Sequence, residues 1–170
     1  MYQFVTQAVG ILGAVITILS FQFKDNRRYY TAQALGGLCF AINFFMLGAY
    51  TGSLLNLINV GRGFGFAVEK GKKPNVTLVS VCALYVLATV FTFDGALSVV
   101  ACAAQLIGSF AMWTRKPGPM RVLQFFLVSP MWLVYNGFVG AVGGLICETF
   151  NMISVAVYFI RMKFFPKQTL

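Results

Sequence analysis

With 59% hydrophobic residues, 10% charged residues and a mean hydropathy of +0.80 over 170 residues, the chain is too apolar for a soluble domain of its length. Its formal charge of +9 is divided among short segments between apolar runs, which leaves no length for a folded basic surface and excludes a nucleic acid as partner. There is no His, and the four acids, at 25, 69, 94 and 148, form no close pair, so the chain is expected not to be an enzyme using imidazole or paired-carboxylate chemistry.

A helix that crosses a bilayer needs about 20 mostly apolar residues. Seven such spans are predicted, at roughly 2–23, 30–48, 52–69, 75–93, 95–114, 120–138 and 141–162. The fold class is therefore an all-α polytopic membrane protein. The first span has no Lys or Arg before it, is too long for a signal peptide and lacks a small-x-small cleavage pattern, so it is expected to stay as a span. Lys24, Arg27 and Arg28 follow it. Lys70, Lys72 and Lys73 follow the third span, Arg115, Lys116 and Arg121 lie between the fifth and sixth, and Arg161, Lys163 and Lys167 end the chain. These are 12 of the 13 cations, all on one side if there are seven spans, while Asp94 lies on the other. Because Lys and Arg accumulate in short cytoplasmic loops, the N-terminus is expected outside and the C-terminus in the cytoplasm. Anionic lipid headgroups suit these loops.

Cys39, Cys82, Cys102 and Cys147 each fall within a span, with no C-x-x-C, and are expected as core thiols. The G-x-G-x-G at 61–65 matches a phosphate loop in letters only, since no strand precedes it; small residues that let helices approach are the ordinary reading. No cofactor or metal is expected.

The second and third spans meet at GAYTGSLLNLIN (48–59), and the sixth and seventh at GAVGGLICETFN (140–151). The two stretches are identical at four of twelve positions and lie 92 residues apart. The same shift maps spans 1, 2 and 3 on 5, 6 and 7 and leaves span 4 unmatched. The expected organisation is a 3+1+3 arrangement of parallel repeats: 1–70 as the first three-helix unit, 71–94 as a linker helix and 95–165 as the second unit.

At helical spacing Gly52, Asn56, Asn59 and Gly63 share one face of span 3, and Gly144, Glu148, Asn151 and Val155 the equivalent face of span 7. Asn59 matches Asn151, and Asn56 matches Glu148. Each Asn could be interhelical glue, but the matched pair favours a shared cavity. Glu148 is the sharpest residue: an acid within hydrocarbon costs at least about 2.5 kcal/mol and is a functional candidate by default, for a proton, a cation or a substrate hydroxyl. Arg62 stands about two turns from the end of span 3, where it could snorkel to the loop, pair with Glu148 or touch a substrate. Asn43, Tyr135 and Asn136 lie nearer the outer ends of spans 2 and 6 and are expected to hydrate an entrance or tie the hairpins.

The stretches LGAYTGSLLNLIN and WLVYNGFVGAVGGLICETFNMISVAVYFIRMK resemble the YgjV-type bacterial inner-membrane proteins, a family similar in architecture to the SWEET/PQ-loop transporters. The SWEET resemblance implies parallel repeats with a substrate site at their interface. It carries the substrate-facing Asn of each third helix onto Asn59 and Asn151. The small residue and aromatic of each middle helix fall on Gly37 with Phe40 and on Ser129 with Trp132. The Pro-Gln signature of that group is missing, Phe21-Gln22 and Trp113-Thr114 standing in its place. Of its hinge prolines only Pro130 is present, with Gly13, Gly36 and Gly37 as sources of flexibility.

The function expected from these readings is a transporter or facilitator of a small polar solute, sugar being implied by the resemblance, in the bacterial inner membrane. A charged or nucleoside-like metabolite, or a non-transporting receptor or scaffold, remains open. The expected partners are that solute, the lipid bilayer and a second copy of the chain as a homo-oligomer.

Overall fold

The computed structural model describes residues 1–20, 22–23, 26–68 and 75–164. Among the described residues the secondary structure is entirely helical and forms seven rods: α1 (Tyr2–Ser20), α2 (Asn26–Met46), α3 (Tyr50–Val68), α4 (Asn75–Phe91), α5 (Ala96–Trp113), α6 and α7 (Val142–Phe164). The sixth rod, α6, runs through three contiguous segments, Pro117–Leu123, Gln124–Val128 and Ser129–Val139. Four rods, α1, α5, α6 and α7, are long and apolar enough to cross a membrane by length and composition. The apolar parts of α2 (Thr31–Met46) and α4 are shorter, and α3 is interrupted by Asn56, Asn59 and Arg62.

On α1 and α5 the distribution of side-chain size is the reverse of that in a soluble bundle. On α1 the buried residues are Thr6, Gly10, Gly13, Ala14, Thr17 and Ser20, all small and spaced by three or four. Phe4, Ile11, Leu12, Val15 and Leu19 point away from the protein. On α5 the buried set is again small, including Ser98, Ala101, Ala104, Gly108 and Ser109, with Val99 and Phe110 outside. In lipid no hydrophobic gain drives large side chains inward, so association comes from close backbone packing of small residues. Gly143 of α7 shows how close: a Cβ there would overlap the backbone of Gly10 on α1.

Rod α1 packs on α2 and α7, α2 on α3, α3 on α4 and α5, α5 on α4 and α6, and α6 on α7. Six rods thus close a ring, α1–α2–α3–α5–α6–α7, and α4 rests on its α3–α5 seam. The turns from α2 to α3 and from α6 to α7 are alike. Gly48 (φ 75°) and Gly140 (φ 72°) adopt the left-handed conformation that Gly allows. Ala49 N donates to Phe44 O and Ala141 N to Asn136 O, each at 2.9 Å, the six-residue closure of a Schellman cap.

Contacts between neighbours sort the rod ends into two faces. At one, Gln33 near the start of α2 donates to Ser20 at the end of α1, and Trp113 at the end of α5 donates to Asn75 at the start of α4. There too Arg115 Nη2 donates to Phe66 O near the end of α3, and the Arg121 guanidinium lies 3.6 Å from the centre of the Tyr158 ring. At the opposite face the Tyr2 hydroxyl donates to Met46 O. Gln7 donates to Gly140 O and accepts from Val142 N, and Thr51 Oγ1 donates to Thr92 O. Of the described cations, Arg27 and Arg28 at the start of α2 and Arg115, Lys116, Arg121, Arg161 and Lys163 belong to segments at the first face, and Asp94 lies at the second. Lys24, Lys70, Lys72, Lys73 and Lys167 lie outside the described residues.

Three element boundaries differ from the sequence expectation by three residues or more, the first being the end of α1, at Ser20 rather than near 23. Rod α2 begins at Asn26 rather than near 30, because a helix can continue into water beyond the apolar stretch that hydropathy detects. Rod α6 begins at Pro117 rather than near 120, since a proline is tolerated in a first turn, where its missing N–H has no intrahelical partner. Within α6 the segment Gln124–Val128 widens to a π turn. Pro130, two residues on, has no N–H to offer the carbonyl of Phe126 and its ring crowds that carbonyl, so the backbone admits one extra residue per turn there.

Candidate functional site

Inside the ring lies a cavity of about 190 Å³ lined by residues of all six ring rods. Rod α1 contributes Thr17; α2 contributes Gln33, Gly37, Phe40 and Phe44; α3 contributes Asn56, Asn59 and Arg62. From the other side come Gln105 and Gly108 of α5, Gln124, Val128, Trp132 and Asn136 of α6, and Gly144, Cys147, Glu148 and Asn151 of α7. Rod α4 contributes no lining residue, although Tyr85, fully buried on it, donates from its hydroxyl to Asn59 Oδ1 at 2.6 Å.

Most residues singled out in the sequence meet here: Asn56, Asn59, Asn151, Glu148, Arg62, Phe40, Trp132 and Gly37 all line the cavity. Ser129 stands just behind the lining, fully buried, and acts on it through Glu148. Gly36 and Pro130 are not lining residues: Gly36 packs against Thr17 Oγ1 and the Gly13 carbonyl of α1, and Pro130 sits two residues after the π turn. Asn43 and Tyr135 tie rods together, Asn43 Nδ2 donating to Thr6 O at 2.6 Å and Tyr135 Oη accepting from Gly52 N at 2.8 Å. Asn136, one turn from the outer end of α6, ties the α6–α7 turn through its backbone carbonyl and also lines the cavity, its carboxamide occupying the space that a Cβ on Gly144 would need.

Two polar networks flank the cavity. At Glu148, Ser129 Oγ donates to Oε2 at 2.6 Å and Asn151 Nδ2 donates to the same oxygen at 3.4 Å. Gln124 Nε2 donates to Ser129 Oγ at 2.9 Å, which commits the serine proton to the carboxylate. At Arg62, Nη1 donates to Ser109 Oγ at 2.9 Å and to Gln105 Oε1 at 3.4 Å, while Nε is buried without a partner. Arg62 therefore neither snorkels to the loop nor pairs with Glu148: α5 offers it hydroxyl and amide oxygens nearer than the carboxylate. An apolar wall completes the site, with Phe44 stacked on Trp132 at 6.0 Å between ring centres and edge-on to Tyr135 at 5.5 Å. Among the described residues no three His, Cys, Asp or Glu side chains converge, so the lining offers no metal-ligand set.

A family model of bacterial inner membrane proteins, Imp-YgjV, matches residues 4–164. The chain belongs to the Imp-YgjV family. In agreement, it is 21% identical over 146 residues to the inner membrane protein YgjV of Escherichia coli (strain K12), covering 84% of this chain and 75% of that protein. Family membership and the membrane-spanning rods make this Imp-YgjV chain a protein of the bacterial inner membrane. No solved structure matches it.

The sequence stripes on spans 3 and 7 pointed at the cavity but missed Thr17, Gln33, Phe44, Gln105 and Gln124. The three glutamines carried a usable signal, since each is an uncharged polar side chain inside an apolar run. Thr17 and Phe44 carried none, because hydroxyls and aromatics are common on every face of these rods.

Proposed function

We propose that this chain is a carrier or facilitator that moves a small polar solute across the inner membrane by alternating access, the solute being held in the cavity of the ring. The observation that carries this reading is the polar lining of the cavity, to which α3, α5, α6 and α7 bring Asn56, Asn59, Arg62, Gln105, Gln124, Glu148 and Asn151. Among the described residues four buried side-chain polar atoms have no hydrogen-bond partner: Thr17 Oγ1, Asn43 Oδ1, Arg62 Nε and Asn136 Oδ1. Three of the four belong to residues that line the cavity. A polar guest that pairs with the carboxamides and charged groups of this lining is favoured over an apolar one, which would strip them of water without replacing its hydrogen bonds.

Two halves, 1–70 and 95–165, joined by α4, would rock about this site. The contacts support such a division: α1–α2, α2–α3 and α3–α5 correspond under the 92-residue shift to α5–α6, α6–α7 and α7–α1. So do four pairs of lining residues, Phe40 with Trp132, Phe44 with Asn136, Asn56 with Glu148 and Asn59 with Asn151. A site shared by two similar halves can open to either side as they move. The π turn and Pro130 make α6 the rod best suited to bend, with Gly36 as a second point on α2. The cationic face is the cytoplasmic one by the positive-inside rule, which puts the N-terminus outside.

The volume limits the solute. About 190 Å³ holds roughly six waters at about 30 Å³ each, below the roughly 300–1,000 Å³ of sites for drug-sized molecules. A solute of monosaccharide or amino-acid size suits that volume. Purified chain in proteoliposomes, offered labelled sugars, amino acids and small organic ions, is expected to accumulate at least one of them. Saturable binding without any flux would replace the carrier by a membrane receptor.

A further inference from the structure

The cavity holds one basic and one acidic side chain, Arg62 and Glu148, that do not pair with each other. Arg62 on α3 is held by Gln105 and Ser109, both neutral, and its Nε has no partner. Glu148 on α7 is held through Oε2 by Ser129 and Asn151, also neutral, and no described residue donates to its Oε1. Both line the same cavity of about 190 Å³, and no ion pair joins them. Each charge is anchored by its own neighbours, on opposite members of the ring.

Opposite charges placed in a low-dielectric space attract strongly, so keeping them apart needs these flanking dipoles. A neutral guest would displace water from both charges and compensate neither. A guest with a single charge would compensate one and leave the other stranded. A guest bearing both signs meets both. The remaining lining suits its other parts: the carboxamides of Asn56, Asn59 and Asn136 are uncharged, and Phe40, Phe44 and Trp132 present an apolar wall to a short side chain.

We propose that the solute is a small zwitterion of amino-acid size, its carboxylate received by Arg62 and its ammonium by Glu148. The proposal rests on the cavity being the solute site, not on the solute's crossing the membrane. Arg suits the first task because its planar fork is always charged and matches a carboxylate.

The test is binding to the full chain in lipid nanodiscs, read by the tryptophan fluorescence that Trp132 supplies and by calorimetry. The probes are alanine, serine, glycine betaine, propionate, propylamine and glucose. At least one zwitterion is expected to bind about tenfold or more tighter than propionate, propylamine and glucose. Removing one partner of a buried charged contact weakens binding by about thirtyfold or more. Arg62→Gln should therefore weaken zwitterion binding by that much while sparing propylamine, and Glu148→Gln should do so while sparing propionate. Cooperative thermal unfolding identifies the variants that remain folded, and the probe series on the unaltered chain decides the matter if neither does. Tightest binding of glucose, equal binding of all probes, or no binding of any zwitterion overturns the proposal. Zwitterion binding without flux would keep it and remove the carrier; flux of glucose alone would do the reverse.

Discussion

At Asn59 a substitution has two separable effects. Its Oδ1 accepts the 2.6 Å hydrogen bond from fully buried Tyr85, so Asn59→Ala strands a hydroxyl as well as stripping the cavity wall. The stranded group should cost about 1–3 kcal/mol of stability. In a Tyr85→Phe background most of that cost should vanish while flux stays lost, a double-mutant cycle measurable by unfolding in micelles beside proteoliposome uptake. An undiminished stability cost would show that Asn59 acts chiefly through other contacts. Asn151→Ala should depress flux with little change in stability, because its 3.4 Å bond to Glu148 is long. The side-chain spacing of spans 3 and 7 was enough to bring Asn59, Asn151 and Glu148 forward from the sequence. Tyr85 was beyond that reach, since nothing in the pattern of a linker span says which of its aromatics turns inward.

Among the elements, α6 departs most from a regular rod. Its π turn holds Gln124 within 2.9 Å of Ser129, which in turn holds Glu148. Pro130→Ala restores the missing N–H, and the expected result is a regular α-helix through 124–128. That would rotate Gln124 by about a quarter turn away from Ser129, since successive residues of an α-helix are about 100° apart. Flux should fall while the thermal midpoint holds or rises. Unchanged flux with a regular helix would make the π turn incidental. At the α1–α7 seam Gly143→Ala should destabilise by about 1–3 kcal/mol, because its methyl meets the Gly10 backbone rather than a movable side chain. Hydropathy located seven rods within a few residues of their ends, except where polar residues extend α2 and Pro117 opens α6. It had no means of distinguishing a kink from a π turn at Pro130, which depends on how the carbonyl of one residue is displaced.

For the whole molecule, the ring closes through α1–α7 and α3–α5, contacts between segments apart in sequence that hydropathy does not pair. The proposed membrane orientation rests on the positive-inside rule. In cells with a permeabilised outer membrane, Lys116→Cys should resist an impermeant thiol reagent and Asp94→Cys should react. The opposite pattern would invert the topology. Arg62 shows the limit of reading a site from a single chain order: its depth in span 3 was plain, but its partners come from α5, and ring closure decides that.

The inside-out arrangement of side-chain size bears on how such a chain can diverge. Outward positions such as Phe4, Leu12 and Leu19 of α1 ask only for bulk and oiliness, so Leu, Ile, Val and Phe can replace one another there at little cost. Inward positions such as Gly10 and Gly13 admit few choices, because an added atom meets the Asn43 carboxamide at the first and Cys39 Cβ and the Gly36 carbonyl at the second. Most of the surface is therefore free to drift while a thin inner seam holds the shape. Aligned with the Escherichia coli relative at 21% identity, the shared residues are expected to gather along that seam and around the cavity, and the lipid-facing positions to agree no better than chance among apolar residues.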